Sequence, residues 1–279
     1  MRKRTIGLVM LFMVVTGIHG QDLLIHKLDG TIINITMDAI DSITFVESST
    51  LFECGVSSIS DIDGNIYNTV LIGNQCWIKE NLKTTRYRNG NPIDYPGDDG
   101  NLWNNNASGA YSWYENDISW KALYGALYNW PAVNNANGLC PTGWHVPTQA
   151  EWTDLLNYVE DQGYPNQEDN PNGAGNAIKS CRQVNSHLGG DCTTSTHPRW
   201  DGNSTHFGLD LVGFSALPGG YRSISGSYNR IGESGYYWSS TTYGSSNARD
   251  FYILNDYGMI GLGGSFKNDG NTVRCIKNN

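Results

Sequence analysis

The sequence predicts an α+β fold, and three observations carry the prediction. Short runs of period-2 alternation, separated by Asp-Gly or Gly-Asn, fill residues 22–79 and strand-like runs return after residue 213, the pattern of strands joined by tight turns. Two segments with helical spacing, 121–130 and 148–159, stand apart from those strands in mid-chain. Strands therefore cluster with strands, whereas a parallel α/β sheet would alternate them with helices.

The first element reads as an export signal. Arg2, Lys3 and Arg4 precede an apolar run from Ile6 to Ile18, and Gly20 suits cleavage before Gln21. The run is too short to span a bilayer, so residues 1–20 are expected to be a signal peptide, and no later run reaches spanning length. No cysteine follows the cleavage position, so a bacterial lipid anchor is not expected. Residues 21–47 form a small β unit in which 24–28 and 31–35 flank Asp29-Gly30 and 40–45 adds a third short strand. Three such strands bury little alone, so the unit is expected to dock on the main domain or on another protein. Ser-rich residues 48–60 are the joint, and the main domain occupies 54–279.

That domain opens with a meander, 56–61, 66–72 and 75–79, turning at Asp63-Gly64 and Gly73-Asn74. Asp61-x-Asp63-Gly64-Asn65 looks like the start of a calcium loop, but an EF-hand needs an acidic twelfth residue and Ile72 stands there, so a hairpin turn is the reading. Residues 88–119 are a polar, aromatic loop too rich in Asn, Gly and Pro for regular structure. KALYGALYNW, 121–130, reads as a helix with Leu123, Leu127 and Trp130 on one side, ended by Pro131. The centre of the fold is Cys140 to Val159, a tight aromatic turn feeding a second helix. Thr148 caps it, Glu151 completes a capping box, and Trp152, Leu155, Leu156 and Val159 make one apolar stripe that needs a sheet to lie on. Residues 160–212 are expected to be irregular, and strands at 213–217, 221–222, 236–240, 249–254 and 272–277 supply that sheet.

Composition narrows the function. The formal net charge is −9, and loss of Arg2, Lys3 and Arg4 with the signal takes three cations away to give about −12, which argues against nucleic acid or an anionic membrane as partner. Charged residues are only 16% of the chain, below the roughly 25% of ordinary globular proteins. Six cysteines in an exported chain predict three disulfides. Sequence leaves the pairing open; order and loop size favour Cys54 with Cys76, Cys181 with Cys192, and Cys140 with Cys275.

Six segments, DIDGNIYNTVLIGNQCWIKENLKT (61–84), YGALYNW (124–130), CPTGWHVPTQAEW (140–152), GFSALPGGYR (213–222), YYWSST (236–241) and TVRCIKN (272–278), resemble the Fibrobacter succinogenes major paralogous domain of exported Gram-negative bacterial proteins. IHKLDGTIINITMDAIDSITF, 25–45, is similar to a short segment at the start of other such exported proteins. The resemblance implies a C-type-lectin-like fold, distantly similar to formylglycine-generating enzymes, whose helix and late Arg-Cys strand Pro147–Trp152 and Arg274-Cys275 resemble. It implies no activity, so each site is argued separately.

A formylglycine-generating oxidase would need a reactive cysteine pair near the C-terminus, and only Cys275 lies there. A glycoside hydrolase needs two facing carboxylates, and nothing singles out a pair. His187, Cys192, His197 and His206 could be drawn as zinc ligands, but a disulfide and solvated histidines account for them, and His145 reads as a hydrogen-bonded core histidine. The chain lacks the Glu-Pro-Asn or Gln-Pro-Asp and Trp-Asn-Asp strings of calcium-bridged sugar binding, so no metal and no cofactor are expected. What remains is a surface of aromatic and amide side chains: Trp103, Tyr111, Trp113, Tyr114, Tyr228 and Tyr243, with Tyr95 and Tyr257 beside them, in loops rich in Gly, Ser and Asn. Trp144, Trp152 and Trp238 belong to the core. The expectation is a non-enzymatic binding or adhesion module for a protein or glycan at the cell envelope, periplasmic, surface-held or released. The alternatives are an enzyme acting on extracellular polysaccharide and a structural surface component without a small ligand.

Overall fold

The computed structural model of the chain describes residues 22–26, 32–36, 52–180 and 196–278. The signal segment, the third N-terminal strand at 40–45, and Cys181, His187 and Cys192 lie outside the described residues. The chain divides into two compact units, Met1–Leu51 and Phe52–Asn279. In the first, β1 (Asp22–His26) runs antiparallel to β2 (Ile32–Thr36), with Leu24 opposite Asn34. The register ends with His26 opposite Ile32, and the expected turn at Asp29-Gly30 lies outside the described residues.

The second unit begins with the expected meander of β3 (Ser58–Ser60), β4 (Ile66–Ile72) and β5 (Gln75–Ile78). The turn at Asp63-Gly64 is held by Asp61, whose Oδ1 accepts the amides of Asp63 and Asn65 at 3.0 and 2.9 Å, while Oδ2 accepts the Tyr67 hydroxyl at 2.6 Å. Both carboxylate oxygens therefore serve the hairpin.

Residues 88–119 are more ordered than their composition suggests: they hold α1 (Gly100–Asn104), β6 (Tyr111–Ser112) and a 3-10 turn at Tyr114–Asn116. The helix expected over 121–130 breaks after one turn, α2 (Lys121–Tyr124). Gly125 takes φ 74°, and a Cβ there would come within 2.9 Å of Asn81 and Leu82, so the chain leaves the helix where only glycine fits. It continues as β7 (Leu127–Tyr128), paired with β6, and then as α3 (Trp130–Val133). Pro131 lies in the first turn of α3, so it starts a helix rather than ending one.

After β8 (Trp144–His145) comes α4 (Gln149–Asp161), with the capping box as expected: Glu151 N donates to Thr148 Oγ1 at 3.3 Å and Thr148 N to Glu151 Oε2 at 2.8 Å. The irregular stretch that follows contains α5 (Ala174–Ile178). No strand forms at 213–217, where only Ala216 bridges to Lys179. The remaining strands are β9 (Gly219–Arg222), β10 (Tyr228–Ile231), β11 (Ser234–Tyr243), β12 (Asn247–Leu254), β13 (Gly261–Phe266) and β14 (Ile276–Lys277).

Two five-stranded sheets result, in the orders β3-β4-β5-β14-β8 and β10-β9-β11-β12-β13. Pairing is antiparallel except for a parallel contact of β9 with β11 at Gly220 and Gly235. The last strand thus inserts between β5 and β8, and Cys140–Cys275 locks this closure while Cys54–Cys76 ties the start of the unit to β5. The two pairings agree with the sequence reading; the third lies outside the described residues. Trp152, Leu155 and Val159 of α4 are buried against Trp77, Phe214, Tyr237 and Phe251, each contributing roughly 2 kcal/mol by area. Trp152 stacks on Phe251 at 4.9 Å, and Leu156 is only partly buried. Trp144 and Trp238 belong to the neighbouring core cluster.

Candidate functional site

The polar loop between β5 and α2 is held by its own amides and carboxylates. Asp99 caps α1 by accepting the amides of Asn101 and Leu102, both at 2.9 Å. Asn129, fully buried, accepts Ala110 N at 2.7 Å and donates to Asn106 O, which fixes the loop to the start of α3. With the backbone so held, the rings line up: Tyr95 on Tyr111 at 5.1 Å, Tyr111 on Trp113 at 5.3 Å, and Tyr114 on Tyr228 of β10 at 5.4 Å. Such pairs are worth about 0.5–1.5 kcal/mol each beyond their burial.

One guanidinium organises this face. Arg222, fully buried at the end of β9, lies 4.3 Å over Trp103 and 5.0 Å over Tyr228, and donates to Gly97 O and Gly226 O. Burial lowers its pKa, opposed by Tyr228, Tyr95 and Asp98. Tyr228 donates to Asn116 Oδ1 at 2.8 Å, Asn116 donates to Asp98 at 2.5 Å, and Tyr95 donates to Asn116 O at 3.2 Å. Burial raises the Tyr228 pKa, while Ser112 and Arg222 beside its hydroxyl pull it down. Arg222 Nη1 and Ser112 Oγ make no geometrically sound hydrogen bond among the described residues.

The predicted rings therefore divide. Trp103, Trp113 and Tyr114 are 0%, 4% and 6% exposed, so they form the floor of the face and offer no contact surface, a correction to their expected role. Their apolar area is satisfied by neighbouring rings and by Arg222, which the loop composition did not reveal. Tyr111 and Tyr228 are half-buried and Tyr95 is exposed, so the accessible rim is Tyr95, Tyr111, Asn116 and Tyr228. Tyr243 is exposed but lies at the end of β11 under Arg249, whose guanidinium is 3.7 Å from its ring. Sequence reasoning missed Arg222 and Asn116; Arg222 sits in the GGYR run without any charge partner to mark it.

Other candidate chemistry is accounted for locally. His145 is 37% exposed rather than in the core, with Nε2 2.8 Å from Glu151 and Nδ1 2.7 Å from Asn278. It shares a groove with Ser240, but both ring nitrogens are engaged, and Ser240 Oγ donates to Pro147 O. Burial alone would raise the Glu151 pKa, but hydrogen bonds from Thr148 and His145 carry it below the ordinary value. His197 Nδ1 meets the Tyr124 hydroxyl at 2.5 Å, and buried His206 contacts Asn176. No group of three or more metal-type side chains occurs among the described residues, and among them no helix is long and apolar enough to cross a membrane.

A family model described as the Fibrobacter succinogenes major domain matches residues 70–277. No curated protein and no solved structure matches the chain.

Proposed function

The chain belongs to the Fibrobacter succinogenes major domain family, and from that membership and the loop face we propose that it is an exported, non-enzymatic binding module of C-type-lectin-like fold. Its ligand is a protein or glycan at the cell envelope. The observation that carries the reading is the aromatic face, in which Arg222 lies over buried Trp103 and over Tyr228, Trp113 packs on Tyr111 and Tyr114 on Tyr228, with Tyr95, Asn116 and Tyr228 hydrogen-bonded at the rim. A preordered rim of rings and amides loses little conformational entropy on binding. Two disulfides in the described residues and the acidic balance suit an extracytoplasmic protein with a non-anionic partner.

The test is a glycan and surface-protein array probed with the full chain in EDTA, followed by Tyr95→Ala and Tyr228→Ala. Binding is expected to persist in EDTA and to fall about tenfold in either variant, equivalent to about 1.4 kcal/mol. Binding that needs a metal, or that ignores both substitutions, contradicts the loop-face reading. Trp103→Ala and Trp113→Ala are poor probes, because both rings are buried and their loss would loosen the fold.

A further inference from the structure

The sheet from β10 to β13 has a second side that the loop face leaves unused. Along β11, Tyr237 enters the core beneath α4, so the alternating Tyr236 points to the opposite side. There Tyr221 of β9 meets Tyr236 edge to face, with centroids 5.3 Å apart and the planes at 71°, and Tyr236 lies tilted by 37° against Tyr252 of β12 at 5.9 Å. Next to them is a cavity of about 250 Å³ lined by Tyr221, Tyr236, Ser265, Phe266, Asp269 and Asn271.

Asn271 makes this more than a surface dent. It is 1% exposed, and its backbone is committed: N donates to Tyr128 O and O accepts from Tyr128 N. Its side-chain Oδ1 and Nδ2 both lack a partner among the described residues. A buried polar atom left unpaired is destabilising, and here one carboxamide leaves two. Behind Ser265, Asp250 accepts the Ser265 hydroxyl through Oδ2 at 2.8 Å while Oδ1 is likewise unpartnered. Burial raises Asp250 and Asp269 to about 6, and the oxygens of Asp269 brace the amides of Ile224 and Phe266.

We propose that this pocket binds one pyranose ring of a neutral glycan, packed against the Tyr221 and Tyr236 rings, with two neighbouring hydroxyls on the Asn271 carboxamide. A carboxamide offers one acceptor and one pair of donors side by side, and vicinal hydroxyls match because each can donate and accept. An apolar ligand would leave both atoms unsatisfied. An ammonium would satisfy Oδ1 alone, and an anion would satisfy Nδ2 alone while facing Asp269. The tyrosine rings suit the apolar C–H face of a sugar. The volume, below the roughly 300–1,000 Å³ of drug-sized pockets, fits a single ring. The inference shares with the proposed function only the idea of a glycan ligand, and its residues are separate from the loop rim.

Saturation-transfer NMR of the full chain in EDTA tests it, using methyl pyranosides of gluco, galacto, manno and xylo configuration and their trisaccharides, with spermidine and inorganic phosphate as control ligands. At least one neutral pyranoside is expected to bind, about tenfold more weakly to Asn271→Ala and to Tyr221→Ala and within about twofold of the parent to Val56→Ala, an exposed residue that neither site uses. Asn271→Ala is expected to melt at or above the parent temperature, since it removes two unpaired groups, which separates lost binding from lost folding. The pocket is overturned if no pyranoside binds, if binding requires calcium, if only spermidine or phosphate binds, or if neither Asn271→Ala nor Tyr221→Ala weakens binding. Binding lost in Tyr95→Ala and kept in Asn271→Ala overturns the pocket while leaving the loop-face function standing.

Discussion

Arg274 shows how much one buried cation can hold without a carboxylate. It is fully buried, donates to Phe214 O, to Ser215 O at 2.7 Å and to Asn81 Oδ1 at 3.1 Å, and lies over the rings of Phe214 and Tyr237. Burial lowers its pKa, with Tyr237 opposing. Lysine cannot reproduce this planar fork, so Arg274→Lys is expected to cost roughly 2–4 kcal/mol in urea unfolding. Asp250 gives a pH signature of the opposite kind. Its folded pKa is raised to about 6 from 3.8, so the folded state binds more protons between those values and stability falls as pH rises from about 4 through 6. Asp250→Asn is therefore expected to be more stable than the parent at pH 7.5, by up to about 3 kcal/mol in urea unfolding, with the gap closing by pH 4. A wild-type melting temperature that ignores this window would show that burial does not disfavour the charge. Neither role was legible in the sequence, because TVRC and NARDF mark a charge without saying that the fold will cover it.

At the scale of elements, β13 and the broken helix explain where pattern reading stops. GLGGSF looks like a loop, yet it is a strand because rings from neighbouring strands cover its bare backbone: a Cβ on Gly261 would come within 2.0 Å of the Tyr252 ring, and one on Gly264 within 2.7 Å of the Tyr243 ring. Gly261→Ala is expected to cost roughly 1–3 kcal/mol by displacing Tyr252, read by thermal unfolding. KALYGALYNW has helical spacing, but Gly125 abuts Asn81 and Leu82, which no local pattern reports. The cap of α4, by contrast, is wholly local. Thr148→Ala is expected to cost about 1 kcal/mol, and Glu151→Ala should also release His145, visible as a change in the NMR chemical shifts of its imidazole at fixed pH.

For the whole molecule, the closure of the C-terminal strand onto the first sheet is the decisive long-range event. Cys140 and Cys275 are 135 residues apart and Cys54 and Cys76 only 22, so the chain-entropy model assigns about 5 kcal/mol to the first bridge and about 3.4 to the second. Replacing Cys140 and Cys275 with alanine is expected to lower the urea midpoint more than replacing Cys54 and Cys76; the reverse order would place the stabilisation outside chain entropy. By itself the sequence determined the family resemblance, the two hairpin turns of the meander, the capped helix with its apolar stripe and the two pairings seen here, because each depends on short-range signals or on the order of a few cysteines. Only the tertiary structure decided which aromatic rings are floor and which are rim, that Arg222 and Arg274 are interior, and that Asn271 is buried beside a pocket with its carboxamide unpaired. Those outcomes depend on which distant backbone covers a side chain, and burial created by contacts more than a hundred residues apart leaves no periodic trace in the chain.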